Sequence, residues 1–159
     1  YRGRDEMPDD FDTFWNKQVA EVEVPQDYQL LEKDFQIAYA TCYELTFKSG
    51  NGGQIYAKLV VPKLSEKVPV LFHFHGYMGQ GWDWADMLAY TAAGWGVVSM
   101  DVRGQSGYSL DGDREVRGNT VKGYIIRGGS GWTGSAFFQG CLSGCLHLGR
   151  ASGWFGLCG

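Results

Sequence analysis

The first hydrophobic pattern in the chain has helical spacing and occupies residues 8–23. Its apolar positions are Phe11, Phe14, Trp15, Val19 and Val22. Because such residues fall on one side of a helix, the pattern predicts a helix packed by this face on the domain surface. Pro8-Asp9-Asp10 supplies capping carboxylates at the positive helix end, and Pro25 stops the helix.

Between residues 28 and 62 the pattern changes to extended runs of β-forming residues. The runs at residues 37–47 and 55–61 flank the glycine-rich segment at residues 49–53. A glycine-rich turn between two such runs is typical of a β-hairpin. We therefore expect antiparallel strands at the start of a sheet.

The third pattern predicts a strand, a helix and a second strand. Residues 68–74 and 96–101 are apolar runs, as expected for strands covered on both faces. Between them lies a helical stripe that ends before Gly94, a natural helix stop. The stripe consists of Trp84, Met87, Leu88 and Ala92. This spacing favours a right-handed crossover between parallel strands, and hence an α/β fold.

Size and charge narrow the function classes. The 159 residues fit one domain, and a net charge of −4 without clustered Lys or Arg argues against nucleic-acid binding. No apolar run reaches 18 residues, so we expect no membrane span. The chain begins at Tyr1 rather than Met, so we expect that upstream residues are missing.

Residues 128–159 differ in composition from everything before them. They contain ten glycines and one charged residue, Arg150, whereas residues 1–127 hold 31 of the 32 charged side chains. No apolar periodicity continues into this segment. We therefore predict part of one domain over residues 1–128 and an atypical glycine-rich tail over residues 129–159.

The cysteines give little support for a metal site. Cys141, Cys145 and His147 have a spacing loosely compatible with zinc ligands, but no second ligand pair follows. Incidental thiols are the better interpretation. The sequence therefore predicts neither a metal nor a cofactor.

His75-Gly76-Tyr77 is the candidate for chemistry. It follows the strand at residues 68–74, where α/β-hydrolases place part of the oxyanion hole. Gly76 would let the backbone turn sharply, so that the Tyr77 N–H points into the site. An ordinary strand-to-loop corner remains the alternative.

Four polar residues near the strand ends have structural and functional interpretations. His73 and His75 should point to one sheet face, as core or loop-orienting side chains rather than as a metal pair or general base. Asp101 and Arg103 lie at or just beyond a strand end, where a guanidinium can tie loops together. We therefore interpret them as an internal ion pair or loop clamp rather than as substrate contacts.

A complete catalytic triad cannot be assembled from this sequence. Ser106, Ser109 and Ser130 have glycine two positions before them, but no serine has glycine on both sides as a nucleophile elbow requires. The only histidine after the predicted sheet is His147. From the residues alone, no nucleophile with its base and orienting carboxylate can be assigned.

Several segments together resemble carbohydrate esterase family seven, the acetyl xylan esterase and cephalosporin C deacetylase group. The matching segments, in order, are Pro8-Asp9-Asp10-Phe11-Asp12-Thr13-Phe14-Trp15, Phe74-His75-Gly76-Tyr77, Met100-Asp101-Val102-Arg103-Gly104-Gln105-Ser106-Gly107, Gly118-Asn119-Thr120 and Gly123-Tyr124-Ile125-Ile126-Arg127-Gly128. The resemblance extends over residues 1–128 and rests on the order and spacing of these segments. The family's Arg-Gly-Gln motif is Arg103-Gly104-Gln105 here.

The resemblance implies an incomplete α/β-hydrolase fold and a serine esterase without cofactor or metal. Such an enzyme removes acetyl groups from xylo-oligosaccharides, cephalosporin C or other small acetyl esters. The resemblance assigns half of the oxyanion hole to the Tyr77 backbone N–H, with the triad beyond residue 159. It also implies a cytoplasmic homo-hexamer for the full-length protein, and an inactive fragment here.

Beyond Phe137-Phe138 the chain departs from the family pattern. Back-translation from Gln139 with a one-base shift can restore a family-like sequence, so an out-of-frame read from about residue 139 is our hypothesis for the tail. Another α/β-hydrolase, such as an esterase or peptidase, remains an alternative. A non-catalytic fragment with an exposed sheet edge is a further one.

Overall fold

A computed structural model describes residues 6–21, 27–49 and 52–110 of the chain. The predictions for the tail at residues 129–159, and for Pro25 as a helix stop, lie outside these residues. The elements in chain order are α1 (Phe11–Ala20), β1 (Tyr28–Lys33), β2 (Ala40–Lys48), β3 (Gln54–Pro62), β4 (Val70–Phe74), α2 (Trp84–Ala92) and β5 (Gly96–Asp101). No helix among the described residues is long and apolar enough to cross a membrane.

The five strands form one mixed sheet in the order β1-β2-β3-β5-β4. β2 and β3 pair antiparallel, from Ala40 opposite Pro62 to Lys48 opposite Gln54. β4 and β5 pair parallel and are joined through α2. The predicted hairpin and the predicted strand–helix–strand unit are both confirmed, and the fold class is α/β.

Alternation of side chains along the strands produces two apolar clusters, one on each face of the sheet. The cluster on the α2 side contains Cys42, Val60, Met87 and Val97. The cluster on the opposite side contains Leu45, Phe47, Ile55, Ala57, Leu59, Val98 and Met100. β5 contributes to both clusters, and all six of its residues are buried. This fully buried strand lies between β3 and β4, and β4 is the last strand in the order of the described sheet.

α2 begins and ends where its sequence predicts. Met87 and Thr91 are its buried residues, and Gly94 follows the helix with a φ of 90°. Glycine takes this left-handed conformation without steric cost, whereas other residues do not. The chain then enters β5 after a turn of only a few residues.

α1 is shorter than the predicted helix at residues 8–23, and two expectations about it are wrong. Asp10 occupies the N-cap but makes no side-chain capping bond; instead the Phe11 N–H donates to the Pro8 carbonyl at 3.0 Å. None of its residues is buried. Its aromatic rings pack on one another, with centroids 5.2 Å apart for Phe14 and Trp15. The helical spacing of the apolar residues predicted which face of α1 is apolar, but it could not predict whether another part of the chain covers that face.

Candidate functional site

Two loops meet at one edge of the sheet. Because β4 and β5 are adjacent and parallel, the segments that follow them emerge side by side. We call residues 75–83 loop A and residues 102–109 loop B. The sequence-predicted residues Tyr77 and Arg103-Gly104-Gln105 are thereby brought to the same sheet edge.

Loop A begins with a tight turn over residues 76–79. The Gly79 N–H donates to the Gly76 carbonyl at 3.0 Å, and Met78 has a φ of 63°. A positive φ at the third residue is the requirement of a type II turn. The turn begins at Gly76, where the sequence led us to expect a sharp change of direction, but the positive φ belongs to Met78. A Cβ added at Gly76 would meet no atom within 4 Å.

Loop B holds Met78 in this strained conformation from both sides. The Met78 N–H donates to Gln105 Oε1 at 2.8 Å, and the Ser106 hydroxyl donates to the Met78 carbonyl at 3.0 Å. Gln105 is buried, so its amide is a fixed partner. The glutamine of the Arg-Gly-Gln motif thus shapes the turn that carries Tyr77.

Tyr77 occupies the second position of this turn and is 48% exposed. The turn therefore leaves Tyr77 partly accessible to solvent just beyond the end of β4. The assignment of its backbone N–H to an oxyanion hole remains a prediction.

His75 connects the two loops through both ring nitrogens. The Val102 N–H donates to Nε2 at 2.9 Å, so Nε2 is an acceptor and the ring proton lies on Nδ1. Nδ1 lies 2.7 Å from the Gly76 carbonyl, to which it donates. Both nitrogens are engaged in holding the backbone, which disfavours a role for His75 as metal ligand or general base.

His73 lies on the α2 side of the sheet in a stack of three rings. Its ring is 3.9 Å from that of Trp82 at an interplanar angle of 15°, and Trp82 stacks in turn on Tyr90. Burial lowers the pKa of His73, and the nearby His75 ring lowers it further. The neutral imidazole is therefore favoured here.

The His73 ring also forms a serine–histidine contact, with Nδ1 2.8 Å from Ser99 Oγ. These are the atom types of a nucleophile and its base. However, Ser99 is only 1% exposed, and its Oγ accepts the Trp82 N–H at 2.8 Å. The pair anchors loop A and is closed to a substrate.

Asp101 joins both loops to the end of β5, which is the loop clamp of the two structural interpretations that the sequence left open. Its Oδ1 accepts the Gly81 N–H at 2.6 Å and its Oδ2 accepts the Tyr108 N–H at 2.8 Å. Asp101 is 3% exposed. A Cβ at Gly107 would collide with this carboxylate, which explains glycine at that position. The available signal was a carboxylate ending a buried strand between glycine-rich loops.

Arg103 is buried and reaches towards the β2–β3 hairpin. A Cβ added at Gly53 would lie 2.8 Å from Arg103 Nη1, so the guanidinium packs directly on this glycine. Asp101 binds backbone N–H groups of both loops. The contact is that of a loop clamp, between loop B and the hairpin.

A cleft of about 500 Å³ lies beside Asp101, on the α2 side of the sheet. The residues around it include Glu44, Tyr56, Lys58, Gln80, Trp84 and Tyr108. The Tyr56 hydroxyl donates to Glu44 Oε1 at 3.1 Å. Burial raises the pKa of Tyr56, and the bond to Glu44 raises it further. Sequence reasoning did not find this cleft, because its walls come from four separate segments: β2, β3, loop A with the start of α2, and the end of β5 with loop B.

Metal coordination receives no support from the arrangement of potential ligands. Within residues 6–21, 27–49 and 52–110, no three His, Cys, Asp or Glu side chains cluster as a metal site. The grouping of Cys141, Cys145 and His147 lies outside the described residues. The described site consists of two loops held together by hydrogen bonds at the sheet edge and an adjacent polar and aromatic cleft.

Comparison with known proteins gives a consistent result. The family model for acetyl xylan esterase (AXE1) matches residues 1–144. The crystal structure of acetyl xylan esterase 1 from Thermoanaerobacterium sp. JW/SL YS485 is 41% identical, with a TM-score of 0.83 over 94% of this chain and 47% of that chain. Acetyl xylan esterase from Paenibacillus sp. R4 shares the fold at 22% identity, with a TM-score of 0.72 over 98% of this chain and 49% of that chain.

This chain thus spans about half the length of either solved structure. No curated protein matches it significantly.

Proposed function

The chain belongs to the acetyl xylan esterase family, and we propose that it is the N-terminal part of an α/β-hydrolase that deacetylates xylo-oligosaccharides. The proposal extends to other small acetyl esters, including cephalosporin C. The Thermoanaerobacterium relative is an acetyl xylan esterase, which supports xylan esters as the substrate class. Tyr77, at the sheet edge, contributes to the site from this half.

The proposed reaction is acyl transfer through a serine. The serine oxygen attacks the acetyl carbonyl while its proton passes to a histidine, and negative charge develops on the carbonyl oxygen. That proton then leaves with the sugar hydroxyl as the ester C–O bond breaks. Water, activated by the same histidine, hydrolyses the acetyl-serine to acetate.

The Tyr77 backbone N–H stabilises the negative oxygen in this scheme. The observation that carries the proposal is the turn at residues 76–79, which loop B holds through the Gln105 side chain and the Ser106 hydroxyl. A donor fixed before the reaction needs no reorganisation when charge develops, and is worth about 10²–10³ in rate.

The 159 residues contain no Gly-x-Ser-x-Gly segment. We therefore propose that this polypeptide alone does not hydrolyse esters, and that the nucleophile comes from a C-terminal half. We also propose that the full-length enzyme is a cytoplasmic homo-hexamer.

A chimera tests the proposal directly. Residues 1–128 of this chain are joined to the C-terminal half of the Thermoanaerobacterium esterase, and hydrolysis of p-nitrophenyl acetate is measured. We expect turnover by the chimera and none by the 159-residue chain. Esterase activity of the purified chain itself, or a folded chimera without activity, would contradict the proposal.

Two substitutions in the chimera separate the backbone donor from the tyrosine ring. Tyr77→Pro removes the N–H, while the second position of a type II turn accepts the φ of proline. We expect kcat/KM to fall by about 10²–10³. Tyr77→Ala keeps the N–H and should lose far less. Equal losses in the two variants would show that the ring, rather than the N–H, is what matters.

A further inference from the structure

The cleft beside Asp101 is large enough to hold a small molecule. Its volume of about 500 Å³ lies within the range of about 300–1,000 Å³ typical of ligand pockets. We propose that it binds a neutral pyranose ring, as a saccharide subsite next to the ester-cleaving edge. The inference rests on the proposed function for its substrate class, but on the cleft alone for its location.

Tyr108 supplies an aromatic platform in this cleft. One part of its ring contacts Tyr56, with centroids 5.1 Å apart and planes tilted by 54°, while the residue remains 62% exposed. Pyranose rings present a face of C–H groups that packs on aromatic rings. The backbone of Tyr108 is fixed by Asp101, so the platform is held in place before a ligand arrives.

The rim carries neutral hydrogen-bonding groups suited to hydroxyls. The exposed Gln80 side chain offers two donors and an acceptor, and the Tyr108 hydroxyl offers one donor and an acceptor. Gln80 belongs to loop A, three residues after Tyr77. A sugar held here would therefore lie near the turn that we assign to the oxyanion.

The charges around the cleft disfavour an anionic ligand. Glu44, Asp83 and Asp101 line it, against one lysine, Lys58. The carboxylates are also poorly placed for a cation. Lys33 lies 3.4 Å from Glu44, Lys58 lies 3.7 Å from Asp83, and Asp101 accepts two backbone N–H groups.

Lys58 is itself engaged within the fold. Its Nζ donates to the Trp82 carbonyl at 2.8 Å and lies 5.7 Å from the centre of the Trp84 ring. The ammonium group is therefore committed to the start of α2. A ligand that relies on hydroxyls and an apolar ring face fits the remaining groups best.

The test uses the 159-residue chain and unacetylated xylotriose, so that no ester hydrolysis is involved. Binding is followed by NMR through the Gln80 side-chain amide and the Tyr108 backbone amide. We expect saturable shifts of both signals. Tyr108→Ala should weaken binding by about tenfold or more, because it removes the aromatic platform.

Matched variants and competing ligands complete the experiment. Tyr39→Ala removes a tyrosine of comparable exposure, 45%, outside the cleft and should leave binding unchanged. Gln80→Ala, at an exposed position, should weaken binding without disturbing the fold. Absence of saturable shifts, or equal binding by the Tyr108→Ala and wild-type chains, would overturn the proposal.

Tighter binding of glucuronate or choline than of xylotriose would also overturn it, in favour of an anion or cation site. The result is independent of the chimera's esterase activity. If the chain binds xylotriose but the chimera is inactive, only the proposed reaction is contradicted. If the chimera is active but the chain does not bind xylotriose, only this subsite is contradicted.

Discussion

β1 and β5 are both six-residue strands of the same sheet, yet they have opposite environments. Five of the six residues of β1 are exposed, whereas all six of β5 are buried. Among the described strands, β1 pairs only with β2, while β5 lies between β3 and β4. Position in the sheet, more than strand length, thus decides how much of a strand is covered.

The difference matters because the candidate site is built on the buried strand. Asp101, at the end of β5, fixes loops A and B, and Ser99 anchors loop A through the Trp82 N–H. β1 carries exposed Leu30 and Leu31 and supports no described loop of the site. Three substitution experiments probe this contrast.

Truncation of an apolar side chain should separate the two strands most clearly. Met100 of β5 is 0% exposed, and Leu31 of β1 is 60% exposed. Met100→Ala should lower the free energy of unfolding by about 3–4 kcal/mol, through lost burial and a cavity. Leu31→Ala should cost less than about 0.5 kcal/mol. Urea unfolding measures both, and similar losses would contradict the contrast.

Removal of a carboxylate should give the next largest difference. Asp101→Ala leaves the N–H groups of Gly81 and Tyr108 without their acceptor, at an expected cost of about 2–3 kcal/mol. Glu32→Ala, on exposed β1, should change stability by less than about 0.5 kcal/mol. The same unfolding assay applies. An Asp101→Ala chain as stable as the Glu32→Ala chain would show that the loops do not depend on this carboxylate.

The smallest expected effect is a pH dependence from His73, whose ring contacts Ser99 of β5. Its pKa is lowered by folding from an ordinary value of 6.5, so the unfolded chain binds the proton more readily. The contribution of His73 to stability is therefore fully present above pH 6.5, and is lost as the pH falls from there towards the folded-state pKa.

Comparison with His73→Gln isolates this contribution. The wild-type chain should lose more stability than the variant between about pH 7.5 and about pH 5.5. Urea unfolding at the two pH values provides the difference. If the two proteins lose equal stability on acidification, His73 does not titrate as its buried position indicates.

The central part of the fold follows from the sequence, and its outer elements do not. β5 was predicted at residues 96–101, and the stripe from Trp84 to Ala92 predicted α2, because both patterns are local. The sequence pattern did not distinguish β1 as a separate strand within the extended region at residues 28–62. Gln36 takes a φ of 57° between β1 and β2, a break that no glycine marks in the sequence.

The candidate site was only partly predictable, for a similar reason. The motifs located Tyr77 and Gln105 at one sheet edge, since parallel strands bring their ends together. They did not show that Met78 carries the positive φ, nor which backbone N–H groups Asp101 binds. Those features depend on contacts between segments far apart in sequence, such as the Met78 N–H that donates to Gln105 Oε1 at 2.8 Å.

The hydrogen bonds between loops A and B run in both directions. Loop A donates through Met78 N–H and accepts at His75 Nε2, while loop B accepts at Gln105 and donates from Val102. Neither loop can therefore reach its final shape alone, and local opening should release both together. A ligand that binds to one loop would consequently slow the opening of the other, without any movement of the strands beneath them.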